Sequence, residues 1–375
     1  MKKNILILCL LFLIPIKVTA IDKKPTIEGN IVYANGYAIT IKERKDGLDG
    51  ATISWNNGSF NVDDSAIIFG GGKPIESYVG SNITMTGGTV STIYGGGNGT
   101  VNTNSDVGTS YITIDGGVVT NAVYGGGRLS STVTTSNIRM MSGNVNNILG
   151  GGGASSGSFK VGSYETMDTS PNHTINTNIT ISGGTISSAI YGGGQGYSHV
   201  DRTSILVSGN AEIPYLIGGG IDGRTDEIII EAMGSNIKVM QSFNRGTIGN
   251  VSAKINGANI NYLYTLGDNT DTSVTGKIDD TANIKLDITS GKINNLKLGI
   301  NDTEIPTDTS KIYITYIDNT IDNIEEKFTN LDLITPTINP ILDDVPKTGI
   351  TKKISFETII LTFILGVFLK IKLTR

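Results

Sequence analysis

Cysteine and histidine are almost missing from this 375-residue chain. The single cysteine, Cys9, lies within the first twenty residues, and the only histidines are His173 and His199. Disulfide bonds and cysteine chemistry therefore cannot support the fold or a site in the rest of the chain.

Clusters of basic residues are also absent. Lys and Arg number 29 and Asp and Glu number 34, which gives a net charge of −5. Without the three basic residues of the first twenty, and the five basic residues and one acidic residue after Thr348, the net charge is −12. An acidic chain without a basic patch is poorly suited to phosphate backbones, so nucleic acid is excluded as a partner.

The first twenty residues have the composition of a secretory signal peptide. Lys2 and Lys3 are followed by an apolar run, and the segment ends in the small residue Ala20. The run is short for a membrane-spanning helix, which needs about 20 residues. We expect cleavage after Ala20, and an uncleaved anchor or a buried helix is the alternative.

Glycine, in contrast, is abundant and periodic. The chain has 49 glycines, about 13% of its residues, where about 7% is usual. Segments 82–97, 111–127, 137–152, 178–194 and 204–220 share one plan that ends in three glycines, and a looser form continues to residue 301. The residues that precede the glycine runs are Phe69, Tyr94, Tyr124, Leu149, Tyr191 and Ile217. Periods of 20 to 50 residues are typical of repeat proteins.

Within each repeat, apolar residues alternate with polar ones, as at Ile83 and Met85. A period of two predicts strands with one face inward, and residues 25–320 show no helical periodicity. We therefore predict an all-β fold, a right-handed parallel β-helix (solenoid) of roughly ten coils, with equivalent isoleucines stacked in ladders. The glycines would supply positive φ at corners and permit close backbone approach. A phosphate-binding loop is the alternative, but "GGGNGT" at 95–100 lacks the Lys-Ser/Thr ending.

The last thirty-one residues contain a pentapeptide, an apolar stretch from Ile354 to Leu369 and a basic tail. The pentapeptide is Val345-Pro346-Lys347-Thr348-Gly349. This segment resembles the cell-wall sorting signal of Gram-positive surface proteins, whose consensus is Leu-Pro-any-Thr-Gly; Val345 replaces the leucine. The resemblance implies that a sortase cleaves after Thr348 and joins it to peptidoglycan. The apolar helix would occupy the membrane only before sorting, and a plain C-terminal membrane anchor is the alternative.

These features divide the chain into four parts. They are a signal peptide over residues 1–20, a repeat domain over 21–330, a linker over 331–344 and a sorting signal over 345–375. The expected location is the outer surface of a Gram-positive cell wall.

Repeats of the Ile-Tyr-Gly-Gly-Gly type resemble those of Firmicute surface proteins predicted to form β-helices and often called adhesins. The resemblance covers most of residues 65–301 and implies wall-attached display. We expect a non-enzymatic adhesin or structural display protein that binds a host or environmental glycan or protein.

The alternative is a wall-bound polysaccharide lyase or glycoside hydrolase of the β-helix type. Such an enzyme needs paired carboxylates for its acid and base steps. The available pairs are Asp63-Asp64, Asp279-Asp280 and Asp343-Asp344, which we interpret as solvated turns. We therefore predict no catalytic residue.

A polar insertion is one candidate binding feature. The 42-residue step between Leu149 and Tyr191 holds about 17 extra residues, and segment 153–177 contains Phe159, Tyr164 and His173. Insertions in repeat proteins form loops, often on the binding face. A decorative loop without function is the alternative.

The tyrosines that precede the glycine runs are the second candidate. Tyr94, Tyr124 and Tyr191 could stack on sugar rings if they were exposed. Leu149 and Ile217 occupy the same position of the repeat, which favours burial instead. The acidic turns at 218–226 and 267–273 lack the spacing of calcium-binding repeats, so we predict no metal ligands and no cofactor.

Overall fold

The computed structural model describes residues 24–100, 103–153, 172–196, 198–268, 276–299, 309–326 and 328–334. Among these residues, strands make up 64% and helix is almost absent. Within the described ranges, helical structure is limited to one 3-10 turn, Thr309–Lys311. The strands are β1 (Thr26–Glu28), β2 (Ile31–Tyr33), β3 (Ala38–Lys42), β4 (Ala51–Trp55), β5 (Gly58–Val62), β6 (Ile67–Phe69), β7 (Tyr78–Met85), β8 (Thr89–Tyr94), β9 (Val107–Tyr124), β10 (Ser131–Leu149), β11 (Asn172–Ile181), β12 (Thr185–Tyr191), β13 (Ser198–Val207), β14 (Glu212–Ile217), β15 (Arg224–Ala232), β16 (Asn236–Gln241), β17 (Thr247–Tyr264), β18 (Lys277–Ile278), β19 (Ile284–Lys297), β20 (Ile312–Ile317), β21 (Ile321–Ile324) and β22 (Leu331–Ile334).

Parallel pairing dominates the sheet. One series of parallel neighbours is β3-β7-β9-β10-β11-β13-β15-β17-β19-β20-β22, and a second is β2-β6-β8-β9-β10-β12-β14-β16-β17-β19-β21. Antiparallel pairs among the described strands occur near the N-terminal end, where β1 pairs with β2 and β4 pairs with β3 and β5. The four long strands β9, β10, β17 and β19 belong to both series.

These shared strands correct the predicted fold. The expectation of an open right-handed β-helix of roughly ten coils is wrong, because eight parallel strands close into a β-barrel. The closed order is β10-β11-β13-β15-β17-β16-β14-β12 and back to β10. Strands β10 and β17 close the ring because each pairs with members of both series.

Glycines inside two long strands explain the error. Glycines were expected at corners, whereas β10 continues through Gly143 and β17 continues through Gly257. Both glycines have positive φ, +88° and +89°, a region that costs other residues energy. Each strand therefore bends at its glycine and joins the two series.

The predicted ladders of equivalent residues are confirmed. Successive repeats place buried isoleucines in direct register across neighbouring strands. One row consists of Ile83, Ile112, Ile138, Ile179, Ile205 and Ile230, each no more than 2% exposed. This row forms part of one continuous apolar core that extends from Val32 to Phe328. Burial of such side chains stabilises the fold by about 1.5–3 kcal/mol each.

The glycine triplets have a different role from the one predicted at corners. No glycine of the triplets at 95–97 and 125–127 has positive φ. These triplets lie against one another, and the amide of Gly96 donates to the carbonyl of Gly126 over 3.1 Å. Small hydroxyl side chains fill the remaining space, since Ser110 donates to the Gly125 carbonyl at 3.0 Å. Close backbone approach alone therefore accounts for the triplets.

Contacts divide the chain into two units, Met1–Thr335 and Pro336–Arg375. The first four residues of the predicted linker form β22, which pairs with β20. The predicted signal peptide, with its cleavage position Ala20, lies outside the described residues, and so does the rest of the linker. The sorting signal 345–375, with its predicted apolar helix, also lies outside them.

Candidate functional site

Two histidines and two aspartates meet on the outer surface of β11, β13 and β15. Nε2 of His173 lies 2.6 Å from Oδ1 of Asp201, and Nε2 of His199 lies 3.5 Å from the same oxygen. His199 is also 2.8 Å from Oδ2 of Asp226. The two imidazole rings are stacked, with centroids 4.9 Å apart and an angle of 13° between their planes. We call His173, His199, Asp201 and Asp226 the histidine cluster.

Strand register brings the histidine cluster together. His173 on β11 is paired with His199 on β13, and His199 is paired with Arg224 on β15. The two aspartates follow two residues after His199 and Arg224, and therefore form an adjacent acidic row. All these side chains are partly exposed, because Val200 and Thr225 between them point into the core.

Ion pairs hold the second aspartate in place. Nε of Arg224 lies 2.5 Å from Oδ1 of Asp226, and its Nη2 lies 3.0 Å from Asp279. The hydrogen bond with Asp226 raises the pKa of His199 above its ordinary value, although burial opposes this. Burial acts to raise the pKa of Asp226, but the hydrogen bonds from His199 and Arg224 outweigh it and leave this pKa lowered.

The predicted insertion is only partly described. His173 lies on strand β11, so residues 172–177 belong to the barrel rather than to a loop. Phe159 and Tyr164 lie outside the described residues. Sequence reasoning named His173 but missed its partner. The signal was present, because His173 and His199 precede the matched residues Ile179 and Ile205 by the same six positions.

The pre-glycine aromatic residues pack in a second apolar cluster. Phe69 and Tyr94 stack with centroids 4.8 Å apart, and Tyr94 and Tyr124 with centroids 4.6 Å apart. Tyr94 and Tyr124 are 9% and 5% exposed, and Tyr191 is partly buried against the same cluster. Burial raises the pKa of Tyr94 and of Tyr124. Stacked and buried rings of this kind stabilise the fold and leave little surface for a sugar.

The predicted acidic pairs are held in local structural contacts. Asp63 accepts hydrogen bonds from the amide and hydroxyl of Ser65, as a turn residue does. Asp279 pairs with Arg224, and Lys311 donates to the backbone carbonyl of Asp280. Asp343 and Asp344 lie outside the described residues. Asp222, in the turn at 218–226, pairs with Arg245 at 2.9 Å.

A groove on β12, β14, β16, β17 and β19 was not predicted. Its volume is about 620 Å³, and its lining is rich in side-chain amides. One row of its lining residues is in register across four strands: Glu212, Asn236, Asn259 and Lys292. A second row lies two residues further along each strand: Pro214, Lys238, Asn261 and Asn294. We call this feature the amide groove.

Hydrogen bonds between side chains fix the amides of the groove. Nδ2 of Asn259 donates to Oδ1 of Asn236 over 3.1 Å, and Nδ2 of Asn236 donates to Glu212 over 2.9 Å. In the second row, Asn294 donates to Asn261 over 3.1 Å. A primary amide can form about four hydrogen bonds, so each of these exposed amides keeps capacity for a ligand. The sequence carried a signal for this groove in asparagines that recur at one repeat position.

No protein-family model matches this chain, and comparisons with curated proteins and with solved structures found no match. Among the residues that the structure describes, no helix is long and apolar enough to cross a membrane. The pentapeptide Val345–Gly349 lies outside those residues.

Proposed function

We propose that this chain is a sortase-anchored surface protein of a Gram-positive cell, and that its amide groove binds a glycan. The anchoring rests on residues 345–375, where a Val-Pro-Lys-Thr-Gly pentapeptide precedes an apolar segment and a basic tail. A basic tail after an apolar segment stays on the cytoplasmic side. Sortase would be a transient partner, and Thr348 would carry the covalent bond to peptidoglycan.

Wall anchoring can be tested by one substitution. In a Gram-positive host with sortase, we expect wall digests to release this protein with Thr348 joined to a peptidoglycan fragment. The variant Thr348→Ala should be lost from the wall fraction almost completely, because it removes the threonine side chain that the sorting-signal consensus requires beside the cleaved bond. Thr351→Ala, three residues further on, is the matched control and should stay on the wall. A wall-associated chain that ends at Arg375 would contradict the proposal.

The chemistry of the amide groove supports a glycan as the ligand. Asparagine amides both donate and accept hydrogen bonds, as sugar hydroxyl groups do. Asn236 and Asn259 repeat this chemistry on neighbouring strands, at a spacing of about 4.8 Å, and Glu212 continues the row as an acceptor. Between the two rows, Ile213, Ile237 and Ile260 are at most 2% exposed and belong to the apolar core. A groove with two rows of hydroxyl-binding side chains suits an extended chain of sugar rings.

Removing two amides tests the glycan proposal. The full chain is applied to a panel of plant, mucin and wall polysaccharides, and retention is recorded together with newly formed sugar ends. We expect one polysaccharide to retain the protein and Asn236→Ala with Asn259→Ala to weaken retention. Each lost hydrogen bond costs about 1 kcal/mol, which for two amides is roughly thirtyfold in affinity.

Asn256→Ala is the matched control for this experiment. Asn256 is exposed on the same strand as Asn259 but lies outside the groove, where it accepts a hydrogen bond from Ser290. Retention should be unchanged in this variant. New sugar ends would favour a hydrolase or lyase instead, and retention that survives loss of both groove amides would show that the glycan binds elsewhere.

A further inference from the structure

We propose that the histidine cluster is a binding site for a divalent transition-metal ion, with Zn²⁺ as the fitting species. The ligands would be Nε2 of His173, Nε2 of His199 and Oδ1 of Asp201. One ligand atom from each of these residues lies within 4.8 Å of those from the other two. This site is on β11 and β13, whereas the amide groove is on other strands, so the two proposals are independent.

The donor set selects the kind of cation. Two imidazole nitrogens and one carboxylate oxygen are typical of Zn²⁺, Ni²⁺ and Cu²⁺ sites, whereas Ca²⁺ and Mg²⁺ prefer oxygen ligands alone. Three protein ligands leave a position for water. The side chains of His173, His199 and Asp201 are 33%, 17% and 40% exposed, so solvent can reach that position.

The two histidines direct their Nε2 atoms toward the same carboxylate oxygen. Their rings are parallel, their strands are neighbours in register, and both Nε2 atoms face the same Oδ1 atom of Asp201. A cation between these three atoms requires the ligands to stand about 2.0–2.2 Å from it. The 2.6 Å contact between His173 and Asp201 would lengthen as the ion enters, through rotation of side chains whose strands are paired.

Neighbouring charges support the site. Asp226 lies 2.8 Å from Nε2 of His199 and is held by Arg224 through its other oxygen. This carboxylate adds negative charge beside the cation. Because the ion would take Nε2 of His199, that nitrogen would exchange its hydrogen bond with Asp226 for the metal.

Metal binding can be measured directly on the full chain. Metal-free protein is titrated with ZnCl₂ by calorimetry, and bound zinc is counted after equilibrium dialysis. We expect one zinc per chain, with both histidine imidazoles shifted in NMR spectra. His173→Gln and His199→Gln should each weaken binding at least tenfold, because each removes one of three ligands.

Two further variants keep the experiment decisive. Asp201→Asn removes the carboxylate with little change of shape and should also weaken binding tenfold or more. This variant tests the site even if a histidine variant fails to fold. Glu227→Gln removes a carboxylate that pairs with Arg202 on the same surface, away from the histidines, and should leave affinity unchanged. No stoichiometric zinc, or zinc binding that survives His199→Gln and Asp201→Asn, would overturn the proposal.

Discussion

Gly125→Ala should lower the free energy of unfolding by about 3 kcal/mol or more. A Cβ atom at this position would lie 2.3 Å from the carbonyl oxygen of Gly150 and 2.0 Å from Oγ of Ser136. The Gly125 amide donates to the Leu149 carbonyl over 2.8 Å, and the Gly150 carbonyl accepts a hydrogen bond from Thr177. The clash therefore falls on backbone that is held from both sides, and a side-chain rotation cannot relieve it.

Urea unfolding followed by far-ultraviolet circular dichroism measures this loss. Gly87→Ala is the matched control, because Gly87 is half-exposed, its φ is not positive, and its nearest neighbour would be the Glu43 amide nitrogen at 3.1 Å. We expect the control to change stability by less than about 1 kcal/mol. An equally small change for Gly125→Ala would mean that the triplets tolerate separation of their backbones. Close backbone approach would then not explain their glycines.

Local pattern was enough to predict the strands and their register, but not how the sheet closes. Alternation at Ile112 and Ile114 revealed which face is buried, and the repeat length aligned each isoleucine with its neighbours. Closure depends on whether the chain breaks or bends at Gly143 of β10 and Gly257 of β17. Glycine permits either outcome, because its backbone is not confined by a side chain.

The candidate sites illustrate the same limit. His173 was named from the composition of a presumed loop, yet its significance comes from alignment with His199 on the neighbouring strand. Asn236 and Asn259 are unremarkable residues when each is taken alone. They line one groove only because the fold places equivalent positions of successive repeats side by side. In a repeat protein, function is therefore better sought in the columns of aligned repeats than in local motifs.

The second large loss of stability is expected from shortening a side chain in the isoleucine row. Ile138→Ala should lower the free energy of unfolding by about 2–5 kcal/mol, the cost of lost burial plus a cavity. Ile138 is 1% exposed and lies in register between Ile112 and Ile179. Both neighbours are fixed by backbone pairing, so the strands cannot move inward to fill the space. The measurement is again urea unfolding, with the midpoint and slope compared with those of the unaltered chain.

Arg139→Ala is the control for this substitution, since Arg139 is the next residue along β10 and its side chain is exposed. It should change stability by no more than about 0.5 kcal/mol. A double-mutant cycle with Ile112→Ala then tests whether the row acts as a unit. Residues in contact typically show coupling of about 0.5–3 kcal/mol. Strict additivity of the two losses would contradict direct packing between neighbours in the row, because independent cavities do not share a wall.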